Sequence, residues 1–211
     1  ASTSTNCASV VLAVGAAGET EYGSNFVQQA QLWLRTCEQA GASTTVIGLG
    51  SKKVLTDYER LRLALSEAPS DGAIPLWRVL IGHGTFDGKE ARFNLRGPDL
   101  AVSNLVEWLR PIRRPLVVVN TASASAPFLN KVSGTNRIVI TATRSGSEQN
   151  FTRFGGYFAR SLADASGDLD QDGQVSLLEA FLSASHWVGE FYKTEGRLAT
   201  EHALLDDNGD G

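Results

Sequence analysis

Apolar residues gather in five short, largely β-branched runs, at residues 9–14, 44–49, 77–81, 116–120 and 137–142. Near-continuous apolar runs mark strands covered on both faces. Their alternation with amphipathic stretches predicts an α/β fold with a mostly parallel sheet and helices on both sides. Between the first two runs, Phe26, Ala30, Trp33, Leu34 and Cys37 recur at helical spacing, and Gly41 supplies the stop. A second helix opens at Thr56-Asp57-Tyr58-Glu59, where Thr56 and Glu59 can satisfy each other's orphan amides, and it ends before Pro69. A third ends near Arg110, ahead of Pro111, and residues 91–95 offer a short extra strand closed by Gly97-Pro98. No linker or tandem repeat divides residues 1–166, which read as one α/β domain; residues 167–211 follow as a helix-loop-helix and tail packed on it.

In an open parallel sheet, groups at the carboxyl ends of strands converge on one crevice. The third run ends in Gly82-His83-Gly84 and the fourth in Thr121-Ala122-Ser123-Ala124-Ser125. These residue types suit acyl transfer: His83 as general base, the Gly84 amide toward a developing oxyanion, and Ser123 as the nucleophile within reach. The plainer alternative is that the two glycines make a tight turn capped by His83, and that Ser123 hydrogen-bonds its own loop.

The order strand, His-Gly, helix, strand, small-residue loop resembles caspase-like and legumain-like cysteine peptidases over most of residues 9–164. In those families His83-Gly84 corresponds to the catalytic histidine pair, and Asn120-Thr121-Ala122-Ser123 corresponds to the strand end that carries the nucleophilic cysteine. Ala122 takes the cysteine's place. Residues 138–143 resemble the strand before the specificity loop, with Arg144 to Glu148 in that loop. Residues 82–88 and 197–206 are similar to a group of bacterial secreted or envelope proteins of this fold. A methyl group cannot attack a carbonyl, so the resemblance implies a fold without cysteine-peptidase activity. Three explanations stay open: a natural pseudo-enzyme, which is favoured; an inactivating replacement at 122; or Ser123 as a displaced nucleophile. The loop at Glu19-Thr20-Glu21 is acidic where legumain-like enzymes hold substrate with a basic residue, so their asparagine preference is not carried over.

The sharpest motif lies near the C-terminus. Residues 168–179 match a twelve-residue calcium loop, with Asp168, Asp170 and Asp172 at positions 1, 3 and 5, Gly173 at 6, the Gln174 carbonyl at 7 and Glu179 at 12. Crowded carboxylates repel unless a cation neutralises them, which points to Ca²⁺. Phe154, Tyr157, Phe158 and Leu162 precede the loop, and Phe181, Ala184, Val188 and Phe191 follow it, both sets at helical spacing. Asp206-Asp207-Asn208-Gly209-Asp210-Gly211 repeats the first six positions of such a loop; without a later ligand it reads as a weak site or a disordered acidic tail.

Composition narrows the partners. The chain has 211 residues, 42% hydrophobic, with a net charge of −4 and no basic run, so a nucleic-acid backbone is excluded as a partner. No apolar run approaches the roughly 20 residues of a membrane span. The chain lacks methionine, and Ala1-Ser2-Thr3-Ser4-Thr5 reads as a mature or trimmed start, consistent with an exported protein. Cys7 and Cys37 fall at the same end of the expected sheet; a disulfide and two buried thiols are both open. Val14-Gly15-Ala16-Ala17-Gly18 sits where a dinucleotide loop would, but lacks that spacing and its acidic ribose ligand. The favoured function is a non-catalytic, calcium-binding relative of these peptidases with a crevice for peptide or protein. The rivals are a hydrolase using Ser123 with His83, and a structural module of a bacterial envelope protein.

Overall fold

Each of the five apolar runs becomes a strand in the computed structural model, which describes residues 7–51 and 53–211. The Ser/Thr-rich start at 1–5 lies outside the described residues. In chain order the first half contains β1 (Ser9–Val14), α1 (Thr20–Gln39), β2 (Ser43–Ile47), α2 (Asp57–Ser66), β3 (Leu76–Ile81), β4 (Gly84–Phe86), β5 (Ala91–Phe93), β6 (Leu100–Ala101) and α3 (Val102–Leu109). The second half contains β7 (Leu116–Asn120), α4 (Ala126–Val132), β8 (Arg137–Thr141), α5 (Phe154–Ala163), a 3₁₀ turn at Ala165–Gly167, α6 (Leu177–Thr194) and β9 (Leu204–Asp206).

The main sheet has the order β2-β1-β3-β7-β8-β9, parallel except for β9, which runs antiparallel along β8 with Thr141 opposite Leu204. Successive residues alternate between faces. Val11, Leu80 and Val118 pack toward α2, α3 and α4 with Leu61, Leu105 and Phe128. Val10, Val79 and Val119 pack toward α1, α5 and α6 with Trp33, Phe158 and Ala184. Because β2 lies on one side of β1 and β3 on the other, the connections leaving β1 and β3 part at the carboxyl edge. That is where an open sheet forms its crevice.

The ends of the helices follow the local chemistry. Thr56 accepts the Glu59 amide while Glu59 accepts the Thr56 amide at 2.8 Å, the reciprocal cap expected from the sequence. Gly41, at φ +65°, turns the chain out of α1 in the left-handed region. Residues 91–95 contribute β5, the middle strand of a small antiparallel sheet β4-β5-β6 that grows directly from the residue after His83.

The C-terminal tail departs from the acidic-tail expectation. Asp206 is part of β9 and 5% exposed, and its carboxylate accepts the amides of Asn208, Gly209 and Gly211. Strand pairing with β8 overrides the polar composition of the segment. Cys7 and Cys37 are both free, and burial pushes the Cys37 thiol above its ordinary value despite the pull of Thr44.

Truncation should separate core from cap. Phe158→Ala empties a fully buried site in the sheet–helix interface and is expected to cost about 3–5 kcal/mol. Thr56→Ala removes only the cap, about 1 kcal/mol. Urea unfolding curves for the two variants check the ratio.

Candidate functional site

The site begins with two strands side by side. β3 and β7 pair in parallel with Leu80 opposite Asn120, and the Thr121 amide donates to the Leu80 carbonyl at 2.9 Å. The residues after both strands therefore leave the sheet together. Gly84 approaches the β7 loop so closely that a Cβ on it would lie 2.3 Å from the Ser123 carbonyl oxygen and 3.5 Å from the Ala122 methyl. Only glycine fits. The Gly84 N–H donates to Ser123 Oγ at 3.1 Å, and the Ser123 hydroxyl donates back to the Gly84 carbonyl at 3.1 Å.

This clasp joins the backbones of the two predicted elements but divides their side chains. The Ala122 methyl, 1% exposed, packs in the core on the α2–α3 side. The His83 ring faces the α1 side, in an aromatic nest with centroids 4.8 Å from Tyr22, 5.0 Å from Phe26 and 6.3 Å from Phe151. Desolvation in this nest lowers the His83 pKa below 6.5, against a hydrogen bond to the Ala17 backbone and the charge of Glu19, which both raise it. The nest therefore favours the neutral imidazole, the form a general base needs. Ser123, also 1% exposed, directs its proton to Gly84 rather than to His83, and its oxygen occupies the Gly84 amide.

The whole loop Thr121 to Ser125 is buried among hydroxyls. Ser125 Oγ accepts the amides of Ala142 and Thr143 at 3.1 and 3.3 Å, and Thr143 Oγ1 accepts the Ala126 amide. Thr121 Oγ1 donates to Leu80, and Thr152 donates to the Thr121 carbonyl. Ala124 sits at φ +51°, in the left-handed region, with its amide held by the Glu148 carbonyl at 2.8 Å.

A second set of residues meets at this edge, Glu148 from the loop matched to the specificity loop and Glu201 and His202 from the stretch 197–206, none of them a site residue in the sequence reading. Glu148 Oε1 lies 2.5 Å from His202 Nδ1, and its Oε2 accepts the Arg144 amide. The neighbouring Glu201, 1% exposed, accepts the amides of Arg153 and Phe154 at the start of α5 and the Tyr192 hydroxyl. Burial raises the Glu201 pKa, against those hydrogen bonds. Tyr22 and Phe26 carry an i, i+4 signal that reads as helix core. Phe151, Glu148 and His202 lie in loops whose partners are far away in sequence, so spacing gives no sign of them.

The acidic loop joins α5 to α6. Carboxylate oxygens of Asp168, Asp170 and Asp172 lie within 4.8 Å of one another. Gly173, at φ +89°, makes the sharp turn, and its amide donates to Asp168. Gln174 follows, with its amide donating to Asp172 at 2.8 Å. Glu179 turns back into the loop from the first turn of α6, where it accepts the Leu169, Asp170 and Ser176 amides. The Ser176 amide and hydroxyl, with the other amides, hold its carboxyl down to about 2. At Asp170 the Asp172 amide pulls the pKa down, but desolvation and the neighbouring Asp172, Glu179 and Asp168 charges outweigh it and push it up. All the donors are hard oxygens, and their mutual repulsion is what a divalent cation relieves, so the donor set fits calcium.

With this geometry in view, the likeness to solved structures is specific in fold. The Drosophila initiator caspase Dronc matches with a TM-score of 0.64 at 13% identity, covering 96% of this chain and 80% of that one. Caspase-1 from Spodoptera frugiperda matches with a TM-score of 0.60 at 10% identity, covering 96% and 86%. The chain has a caspase-like fold. No family model matches the sequence, and neither does any curated protein. No helix among the described residues is long and apolar enough to cross a membrane.

The nest gives His83 a measurable signature. Its NMR titration midpoint should fall below 6.5, with the resonance assigned by its loss in His83→Gln. Because the folded midpoint is depressed, the unfolded chain takes the proton first. The stabilisation from neutral His83 is complete above about pH 6.5 and declines as the pH falls toward the folded midpoint. A midpoint at or above 6.5 would mean that the ring is solvated.

Proposed function

We propose that this protein is a non-catalytic relative of caspase-type peptidases that binds a peptide or protein segment at the carboxyl edge of its sheet, with calcium bracing the adjoining helices. The observation that carries the reading is Ala122: a buried methyl stands at the position matching the family's nucleophile, beside Gly84 and on the opposite face from the His83 ring. The framework that presents a histidine is kept, and the reacting group is missing. The hydrolase alternative draws less support, because the Ser123 hydroxyl and the Gly84 amide, its nucleophile and oxyanion donor, are bonded to each other.

A peptide laid at this edge would meet a neutral imidazole ringed by aromatic faces, which bury apolar side chains without demanding a charge. Asp168, Asp170 and Asp172, the Gln174 carbonyl and Glu179 would hold the Ca²⁺. The ion would supply charge neutralisation in the loop and no chemistry at the crevice. The chain's own residues do the rest: the clasp fixes the backbone, and Tyr22, Phe26 and Phe151 orient the ring.

Two measurements test the proposal. With calcium present, wild-type protein should neither hydrolyse a random peptide library nor take up a fluorophosphonate, and it should retain a subset of the peptides. The pair Tyr22→Ala and Phe151→Ala should lose that retention. Hydrolysis that disappears in Ser123→Ala would overturn the reading in favour of the hydrolase.

For the metal, binding to the native state alone stabilises it by about 2.7 kcal/mol when free calcium is a hundred times the dissociation constant. Melting should come later in millimolar calcium than in chelator. Glu179→Gln should remove most of that difference, whatever its own effect on the Ser176 cap. Identical wild-type curves in calcium and chelator would reduce the loop to an acidic turn.

A further inference from the structure

Beside the crevice, and touching it only through Phe151 and its neighbours, a groove runs between α1 and α5. Its inner part is a cavity of about 180 Å³, with Asn25, Gln28 and Gln29 on the α1 side and Arg153, Tyr157 and Arg160 on the α5 side. The spacing of both sets, i, i+3, i+4 on α1 and i, i+4, i+7 on α5, puts each on one helical face. A second hollow of about 300 Å³ continues it past Arg153, with Arg197 on its wall.

The protein carries a net charge of −4, yet no Asp or Glu lines the inner cavity, while Glu21 lines the outer hollow opposite Arg197 and Arg153. Arg60, Arg92, Arg96 and Arg144 all pair with carboxylates. Among the described residues, Arg153, Arg160 and Arg197, like most of the other arginines, make no such pair within 4.0 Å. The Arg153 guanidinium instead lies on the Phe191 ring, 3.8 Å from its centroid, while Glu201 holds the Arg153 backbone amide. A guanidinium stacked on an aromatic face keeps its N–H edge free and fixed in direction. Gln29, 8% exposed, stands in the wall with its side-chain oxygen turned toward Gly155 on α5.

We infer that the α1–α5 groove is a binding site for an oxyanion, a phosphate or carboxylate, carried on a small flat apolar body. The two guanidiniums would supply charge-assisted donors, and the Gln28 carboxamide a further one. Phe151 and Tyr157 offer the apolar surface for the body of the ligand. The inference stands apart from the peptide-crevice reading, since it needs neither His83 nor the 122 position.

The test uses the full chain with calcium, at low ionic strength, titrated with phenyl phosphate, with phenylacetate and with neutral benzyl alcohol. Calorimetry and amide chemical shifts follow the binding. At least one of the two anions should saturate below about 10 mM, with shifts at Gln29 and Arg153, and benzyl alcohol should not. Arg153→Gln and the exposed Arg160→Gln should each weaken binding about tenfold or more, the effect of one charge-assisted hydrogen bond. Arg62→Gln, on α2 across the sheet, should leave it unchanged. Tighter phenyl phosphate identifies a phosphate ligand, and tighter phenylacetate a carboxylate; either supports the site. No saturation by either anion, equal binding of benzyl alcohol, or undiminished affinity in a folded Arg160→Gln overturns it.

Discussion

The close approach of Gly84 to the β7 loop is the constraint on which the rest of this edge depends. Two parallel strands can end side by side without their following loops touching. Here the missing Cβ at Gly84 lets two backbones meet, and the Ser123 hydroxyl locks them by accepting from and donating to the same residue. One side chain thus satisfies two buried backbone groups. Three consequences follow in space. His83 is fixed just outside the sheet, β4 starts at once into the small antiparallel sheet, and the β7 loop is pressed inward until every residue from Thr121 to Ser125 is buried.

A buried loop must answer for its polar groups, because an unpaired one costs about 1–3 kcal/mol. Small hydroxyls do this work throughout: Thr121, Ser125, Thr143 and Thr152 each bond a backbone group of a neighbouring segment. Glu201 performs the same service for α5. Its carboxylate takes the place of a helix cap, accepting the Arg153 and Phe154 amides, where the positive end of the helix favours a negative charge. In doing so it draws residues 197–203 against α6 and aligns the chain to enter β9. The sixth strand therefore depends on one buried acid some fifty residues from the helix it caps.

The sequence revealed most of what local pattern controls. The five parallel strands are β-branched runs long enough to declare themselves, and their observed limits differ from the expected ones by a residue or two. The reciprocal cap of Thr56 and Glu59 is local and was equally plain. β4 and β6 are three and two residues long, too short for any period. α4 starts within a serine-rich stretch, has Pro127 in its first turn and is only seven residues long, so no helical period announces it. β9 lay hidden inside an acidic repeat. At the site, the Gly-His-Gly turn and the small-residue loop could be placed at one edge from topology alone. The function of Ser123 within that loop could not, because its partner is 39 residues away and no spacing rule links them. The aromatic nest was illegible for the same reason: Phe151 reaches His83 only after β8 and its loop have folded back.

The hydroxyls at this edge also bear on what the edge can do. A nucleophile needs its oxygen or sulfur exposed to substrate and its proton directed at a base. Across the β7 loop the opposite holds: each hydroxyl is buried and directed at a backbone carbonyl or serves a backbone amide. The methyl of Ala122 completes the packing on the far face from His83. A thiol placed there would be held in apolar surroundings, which raise its pKa rather than activate it. The loop is thus organised to hold the two strand ends rigid. His83, half-buried among aromatic rings, is left at the margin of that rigid edge.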